Sequence, residues 1–246
     1  MLETNCAPDA FAEARARHQH SGEQVRRTVS SLSRLLVAAI LIAAGIRIIA
    51  VQPVHVTSGS MHPLLEAGDF LFVAKASYGW SSASLPAFLA GSLPATGRIA
   101  GRLPDRGDVV LFAAAAGRPG YLKRVVGLPG DRIALEAGRV RLNGTLLDCQ
   151  RLSRNVCREI LPAGPSYLII ESGNSPLSTI AERRVPAGHV FVLGDNRDES
   201  ADSRLSPEEG GAGMVPEGRL IGRAGHIFFS LGPDGPRLAR IGTAVR

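Results

Sequence analysis

One apolar stretch governs how this chain can be laid out. Leu35 to Ile46 is uncharged, and Arg47-Ile48-Ile49-Ala50-Val51 extends the run to seventeen residues. That is the short end for a membrane span, where about 20 residues are usual. Arg26, Arg27 and Arg34 precede it, as expected of a cytoplasmic flank. Arg47 lies near the outer end, where its side chain can reach headgroups. A cleaved signal peptide competes, favoured by the short apolar core, but more than 30 mostly polar residues come first, far longer than an ordinary n-region. A buried core helix would have nothing before it to pack on. The expectation is a tail over 1–30, Ala-, Arg- and Glu-rich and on the cytoplasmic side, a transmembrane anchor over 31–51 and an extracytoplasmic domain over 52–246.

After the anchor the pattern turns short and extended. Phe70–Val73, Asp108–Phe112, Tyr121–Val126, Arg139–Leu142, Tyr167–Ile170, His189–Leu193 and His226–Phe229 read as strands. Asn143-Gly144 is a hairpin turn signal, and Gly107-Asp108 and Pro129-Gly130-Asp131 add further turns. Short strands with frequent turns predict a mostly-β domain. Residues 79–104 form a long loop rich in Gly, Pro, Ser and Ala, yet carrying Trp80, Leu85, Phe88, Leu89 and Leu93. A loop of that length is functional or disordered; its apolar residues either pack on their own domain or touch a bilayer surface.

The net charge of +6 does not indicate a nucleic-acid partner, because the arginines are scattered and aromatics are only 5% of the chain. Three cysteines are too few for a disulfide framework. Cys149 and Cys157 flank a polar stretch; outside the cytoplasm they can pair, and two free thiols are the alternative. No His/Cys grouping has metal spacing, and no metal or cofactor is expected.

Lysine is nearly absent: of 28 basic residues only Lys75 and Lys123 are not arginine. A lysine can be made neutral by burial, whereas guanidinium stays charged. Ser60, in Ser58-Gly59-Ser60-Met61-His62-Pro63, needs a base to become a nucleophile, and no histidine lies in a suitable motif. Lys123 can serve if burial lowers its pKa. Strand alternation puts Tyr121, Lys123 and Val125 on one face and Arg124 on the other. Gly59 permits close backbone approach, and Ser58 offers a hydroxyl to an oxyanion.

These residues resemble the bacterial type I signal (leader) peptidases, membrane-anchored Ser/Lys endopeptidases. Ser58–Pro63 resembles the nucleophile motif of that family, Arg106–Val110 with Tyr121–Asp131 its general-base motif, and Gly194–Arg204 its final signature. The resemblance, running from about Arg47 to the C-terminus, implies an antiparallel β catalytic domain of the signal-peptidase kind behind one N-terminal transmembrane helix. It implies Ser60 as nucleophile, Lys123 as general base, the Ser58 hydroxyl and Ser60 amide as oxyanion hole, and Ser200 orienting the amine. Arg124, Asp195, Asp202 and Arg204 would form an ionic framework. Val54, Val56, Met61, Leu65, Leu71, Leu111, Tyr121 and Leu122 would line small pockets for Ala-x-Ala-type sites. The implied partners are signal-peptide-bearing exported precursors and membrane lipid. The implied location is the bacterial inner membrane, with the N-terminus cytoplasmic and the catalytic domain on the periplasmic side. The sequence says nothing of oligomeric state.

Three departures stand out: Thr57 where proline is usual, Leu64 where threonine is usual, and a segment over 205–213 that is longer than the family norm and lacks its aromatic. They leave room for narrower substrate choice. The rivals are a conjugative-transfer peptidase, against which the complete last signature argues; a self-cleaving Ser/Lys repressor, which would need a DNA-binding domain; and an inactive binding module for exported segments.

Overall fold

The computed structural model describes residues 28–47, 50–85, 98–114, 120–162 and 164–246. It divides into two units, residues 1–47 and 48–246. Of the first, helix α1 spans Thr28–Arg47 and is long and apolar enough to cross a membrane, with its apolar side chains unburied by protein. Of the expected tail over 1–30, residues 1–27, with Arg26 and Arg27, lie outside the described residues, as do Phe88, Leu89 and Leu93, while Thr28–Ser30 form the first turn of α1.

The second unit is built from short strands: β1 (Val51–His55), β2 (Asp69–Ala74), β3 (Val109–Phe112), β4 (Tyr121–Gly127), β5 (Arg132–Glu136), β6 (Arg139–Leu142), β7 (Thr145–Leu146), β8 (Asp148–Arg151), β9 (Val156–Ile160), β10 (Ser166–Ile170), β11 (Ile180–Arg184), β12 (His189–Leu193), β13 (Val215–Pro216), β14 (Leu220–Gly232) and β15 (Gly235–Pro236). Val51, at the end of the expected anchor, pairs with Ala74 across β1 and β2, so the strand ladder claims it. Of the strands not foreseen, β5 buries only its three central residues between two exposed charges, and β11 is exposed along its last four residues, so neither shows a sustained alternation.

One sheet runs in the order β1-β2-β14-β3-β4-β12-β13, with β15 beside β14; β10-β9-β8 and β11-β5-β6-β7 form two smaller sheets. All named strand pairs are antiparallel. The Asn143-Gly144 turn joins β6 to β7 with both residues at positive φ, 52° and 84°, as a tight hairpin requires. Strand β14 serves both β2 and β3 through register shifts that let it bend between them. Gly222 sits in that stretch, where a Cβ would come 2.4 Å from the Ala74 carbonyl oxygen.

Strand β3 is buried on both faces and separates two cores. Val109 and Leu111 join Val56, Met61, Leu65 and Leu71; Val110 and Phe112 join Val125, Val192 and Leu220. A third core, with Ile133, Leu135, Tyr167, Ile169 and Phe191, is contributed by the two smaller sheets and β12. At its edge a disulfide joins Cys149 on β8 to Cys157 on β9, with Cα atoms 5.7 Å apart.

Candidate active site

Ser60 stands on the turn between β1 and β2. Buried Met61 and Leu65 plug that turn into the core while Thr57, Ser58 and Gly59 face solvent. The turn is closed at its base by Val56 N–H to the Asp69 carbonyl (2.8 Å) and Gly68 N–H to the Val56 carbonyl (2.9 Å). At its tip, Asn196 donates its backbone N–H to the Ser60 carbonyl (3.1 Å) and its side-chain amide to the Gly59 carbonyl (3.2 Å).

Lys123 lies in the middle of β4 and is 3% exposed. Its Nζ donates to Ser60 Oγ at 2.6 Å. Burial, aided by Arg204, lowers the amine from its ordinary 10.5 to about 8, against the opposing pull of Asp202 and Asp195. The Tyr121 ring centre lies 5.8 Å from Nζ on the same strand face. Ser58 Oγ is 3.4 Å from Ser60 Oγ. The pair opens on a cleft of about 240 Å³ whose walls include Val54, Val56, Met61, Tyr121 and Leu122. Leu65, Leu71 and Leu111 do not line this cleft; they belong to the core behind it.

On the other side of β4, Arg124 is fully buried and grips Asp195 with two bonds of 2.7 Å, gives a third to the Gly107 carbonyl, and stacks 3.9 Å over the Tyr167 ring. Asp202 binds Arg204 through Nε (2.8 Å) and Nη2 (3.0 Å) and accepts the Gly194 N–H (3.1 Å). Arg204 also donates to the Arg197 carbonyl at 2.7 Å, which fixes the backbone around Ser200. Such pairs repay their desolvation only with good geometry and further hydrogen bonds, and both are present here.

Ser200 is buried beside the nucleophile backbone. A Cβ on Gly194 would come 2.3 Å from Ser200 Oγ and 2.5 Å from the Ser60 carbonyl oxygen, so only glycine fits between them. Among the described residues Ser200 Oγ has no hydrogen-bond partner, so the expected bond to the Lys123 amine is not made in this structure.

Several contributors escaped the sequence reading. Asn196 and Gly194 lie inside the last motif but carry no chemical signal that they touch the nucleophile turn. Glu159 on β9 forms a buried pair with Arg197 (2.6 Å) and accepts the Tyr167 hydroxyl (2.6 Å). Arg237 and Arg240, near the C-terminus, hold the back of the nucleophile turn. Arg240 binds Asp69 and Glu66 and donates to the Leu64 carbonyl (2.9 Å); Arg237 binds Glu66 and donates to the Ala67 carbonyl (2.8 Å). Burial acts to raise the Asp69 carboxyl, but Arg240, the Glu66 amide and Ser230 hold it below the ordinary value.

A lowered lysine amine in contact with a serine hydroxyl, at the mouth of an apolar cleft, is chemically competent for acyl transfer. Residues 29–229 match the family described as signal peptidase, peptidase S26. The chain is 36% identical to signal peptidase I of Rickettsia conorii over 214 residues, covering 78% of this chain and 76% of that one. It is 34% identical to signal peptidase I of Rickettsia typhi over 230 residues, 84% and 83% of the two chains. A crystal structure of a signal peptidase I from Enterococcus faecalis V583 aligns with TM-score 0.32 and 23% identity, over 50% of this chain and 97% of that one. On the family match and the relatives, the chain belongs to the signal peptidase family, peptidase S26, and is a peptidase.

Proposed function

We propose that this protein is a membrane-anchored endopeptidase that removes N-terminal signal peptides from exported precursors, cutting after small residues of the Ala-x-Ala kind with a Ser60/Lys123 dyad. The observation that carries this reading is the 2.6 Å contact between Lys123 Nζ and Ser60 Oγ at an open apolar cleft. With its amine neutral, Lys123 accepts the Ser60 proton as Oγ attacks the scissile carbonyl carbon. The Ser58 hydroxyl and Ser60 amide stabilise the oxyanion. As the tetrahedral intermediate collapses, the lysine returns the proton to the leaving amine. It then takes a proton from the water that attacks the acyl-enzyme and passes it to Ser60 Oγ as the acyl–oxygen bond breaks, which restores the free serine and the neutral amine. Ser200, whose buried hydroxyl has no hydrogen-bond partner among the described residues, would receive and orient the amine once Lys123 turns away from Ser60 during the reaction. The buried Arg124–Asp195 and Asp202–Arg204 pairs hold the floor of the site.

Helix α1 serves as the anchor, N-terminus cytoplasmic, with the catalytic domain on the periplasmic side. Lipid contact is supported by an aromatic ladder across β1, β2 and β14. His55 stacks on Phe70 at 4.4 Å and Phe72 on Phe228 at 4.3 Å, with Phe72 44% and Phe228 and Phe229 each 37% exposed.

The test is cleavage of several exported precursors by the full chain in membranes, with Ser60→Ala alongside and product N-termini sequenced. New N-termini after small residues, absent with Ser60→Ala, are expected. Uncut precursors, or cutting unchanged in Ser60→Ala, would overturn the reading.

A further inference from the structure

The segment 205–213 follows Arg204 directly and is a tightly built loop. Leu205 N–H and Ala212 N–H both bond the Asp202 carbonyl (3.2 and 3.0 Å), and Gly213 N–H bonds the Leu205 carbonyl at 2.9 Å. Ser206 N–H is capped by the Glu209 carboxylate at 2.9 Å, and Gly211 N–H returns to the Ser206 carbonyl at 2.9 Å. Gly211 has no room for a Cβ, which would sit 2.3 Å from the Leu205 carbonyl oxygen. Gly213, at φ +60°, would place one 2.9 Å from Pro207.

The loop packs behind one wall of the cleft. Ala212 is buried in the core with Phe112 and Val215, and Tyr121 packs against that same core. Pro207, Gly211 and Ala212 face Phe112 and Tyr121 across a crevice of only about 10 Å³, at the limit for a single water. Phe112 flanks Tyr121 from β3, with ring centres 5.7 Å apart. Tyr121 thus stands between two spaces, the cleft in front and this narrow crevice behind.

We infer that the 205–213 loop is a specificity element: it is the hard stop behind Tyr121 that limits the size of the substrate side chain the cleft accepts. This rests on the proposed peptidase reading and names the part of the molecule that sets substrate choice within it. The ring has little room to swing back, because the packed loop leaves space for about one water at most, and interiors at native density transmit such constraints rather than absorb them. A substrate residue that needs more depth must displace Tyr121 or stay out. The loop touches neither reacting atom, so it acts through Tyr121 and is a positioning element.

The test measures kcat/KM on precursor peptides that differ only in the residue before the cut, Ala against Val. It uses the full chain in detergent or vesicles, as wild type, Pro207→Ala, Ala212→Gly and Ala212→Val, with the exposed Glu208→Ala as control. Pro207→Ala and Ala212→Gly open space behind the ring and should raise Val cleavage relative to Ala by about tenfold, the scale of a methylene or two in an apolar pocket. Ala212→Val fills the crevice and should shift the ratio the other way, lowering Val cleavage relative to Ala still further. Glu208→Ala should match wild type.

Unchanged Ala/Val ratios in soluble, cooperatively unfolding Pro207→Ala and Ala212→Gly proteins would overturn the inference while leaving the peptidase reading intact. So would an equal loss on all substrates, which marks a merely structural role. Because Pro207 is exposed, its variant remains informative if the Ala212 variants do not fold. If wild type cuts no peptide, or Ser60→Ala cuts as well as wild type, the peptidase reading itself has failed.

Discussion

Ser60 and Lys123 touch, yet the two halves of the pair are held by different means. The lysine half stands on a framework closed to solvent: Arg124–Asp195, Arg197–Glu159 and Arg204–Asp202 all have side chains no more than 1% exposed. The serine half sits on a turn whose tip is open to solvent. Its back is clamped by Arg237 and Arg240, which are 26% and 20% exposed, on Glu66 and Asp69. The reason is chemical. A general base must be desolvated to lose its proton near neutral pH, whereas a nucleophile must stay reachable by a polypeptide. Burial therefore tunes one group, and an ionic brace at the solvent boundary positions the other.

The comparison breaks first at the pair itself. Ser60→Ala, Lys123→Ala and Lys123→Arg should each lower kcat by at least about 10⁴-fold, while the unfolding transition stays cooperative, because residues that act as a unit fail together. Arginine keeps the charge but cannot accept the serine proton. Substantial turnover by Lys123→Arg would place the base elsewhere.

Titration sharpens the lysine half. Catalysis needs the neutral amine, so the rate should rise with pH through about 8 and single histidine variants should leave that limb in place. The sign for stability follows from the same shift. Between about 8 and 10.5 the unfolded chain still holds the proton that the folded chain has released, so unfolding free energy should climb with pH across that window. Below 8 both states hold it, and the full cost of the buried charge remains. Denaturant titrations of Lys123→Met that kept the same climb would assign it to another group.

Removing one member of the buried framework should cost more stability than removing one member of the brace. Asp195→Ala leaves Arg124 charged and unpaired, a loss of about 3–5 kcal/mol. At roughly 2–4 °C per kcal/mol for a domain of this size, that lowers Tm by about 10 °C. Arg240→Ala, at a partly wet site, should cost about 1–3 kcal/mol and lower kcat several-fold, with KM and the acidic limb unmoved. Equal destabilisation by the two variants would erase the contrast between the two halves. The smallest effect on catalysis is expected far from both: Cys149→Ser with Cys157→Ser should leave kcat within about twofold, although losing the disulfide costs about 2–3 kcal/mol of stability.

Much of this was legible along the chain. The apolar run, the strand alternation that separates Lys123 from Arg124, and the Asn143-Gly144 hairpin are local patterns, and backbone geometry converts them directly into structure. The order of the three motifs brought Ser58, Ser60, Lys123, Asp195, Ser200, Asp202 and Arg204 to one neighbourhood on paper, and in the fold they share it. The partners of those residues were not legible. Arg240 meets Glu66 across 174 positions, Asn196 meets Gly59 across 137, and Arg197 meets Glu159 across 38. With 28 basic and 22 acidic residues, the charges are compatible with far more pairings than one fold can make. Coulomb attraction has no memory of sequence position, so only the packed strands, by setting which side chains are buried within reach of one another, decided which pairs form. The same holds for the 205–213 loop. In the sequence it is an extension of small and polar residues, and its place behind Tyr121 exists only once β3, β4 and β13 have closed the core around Ala212.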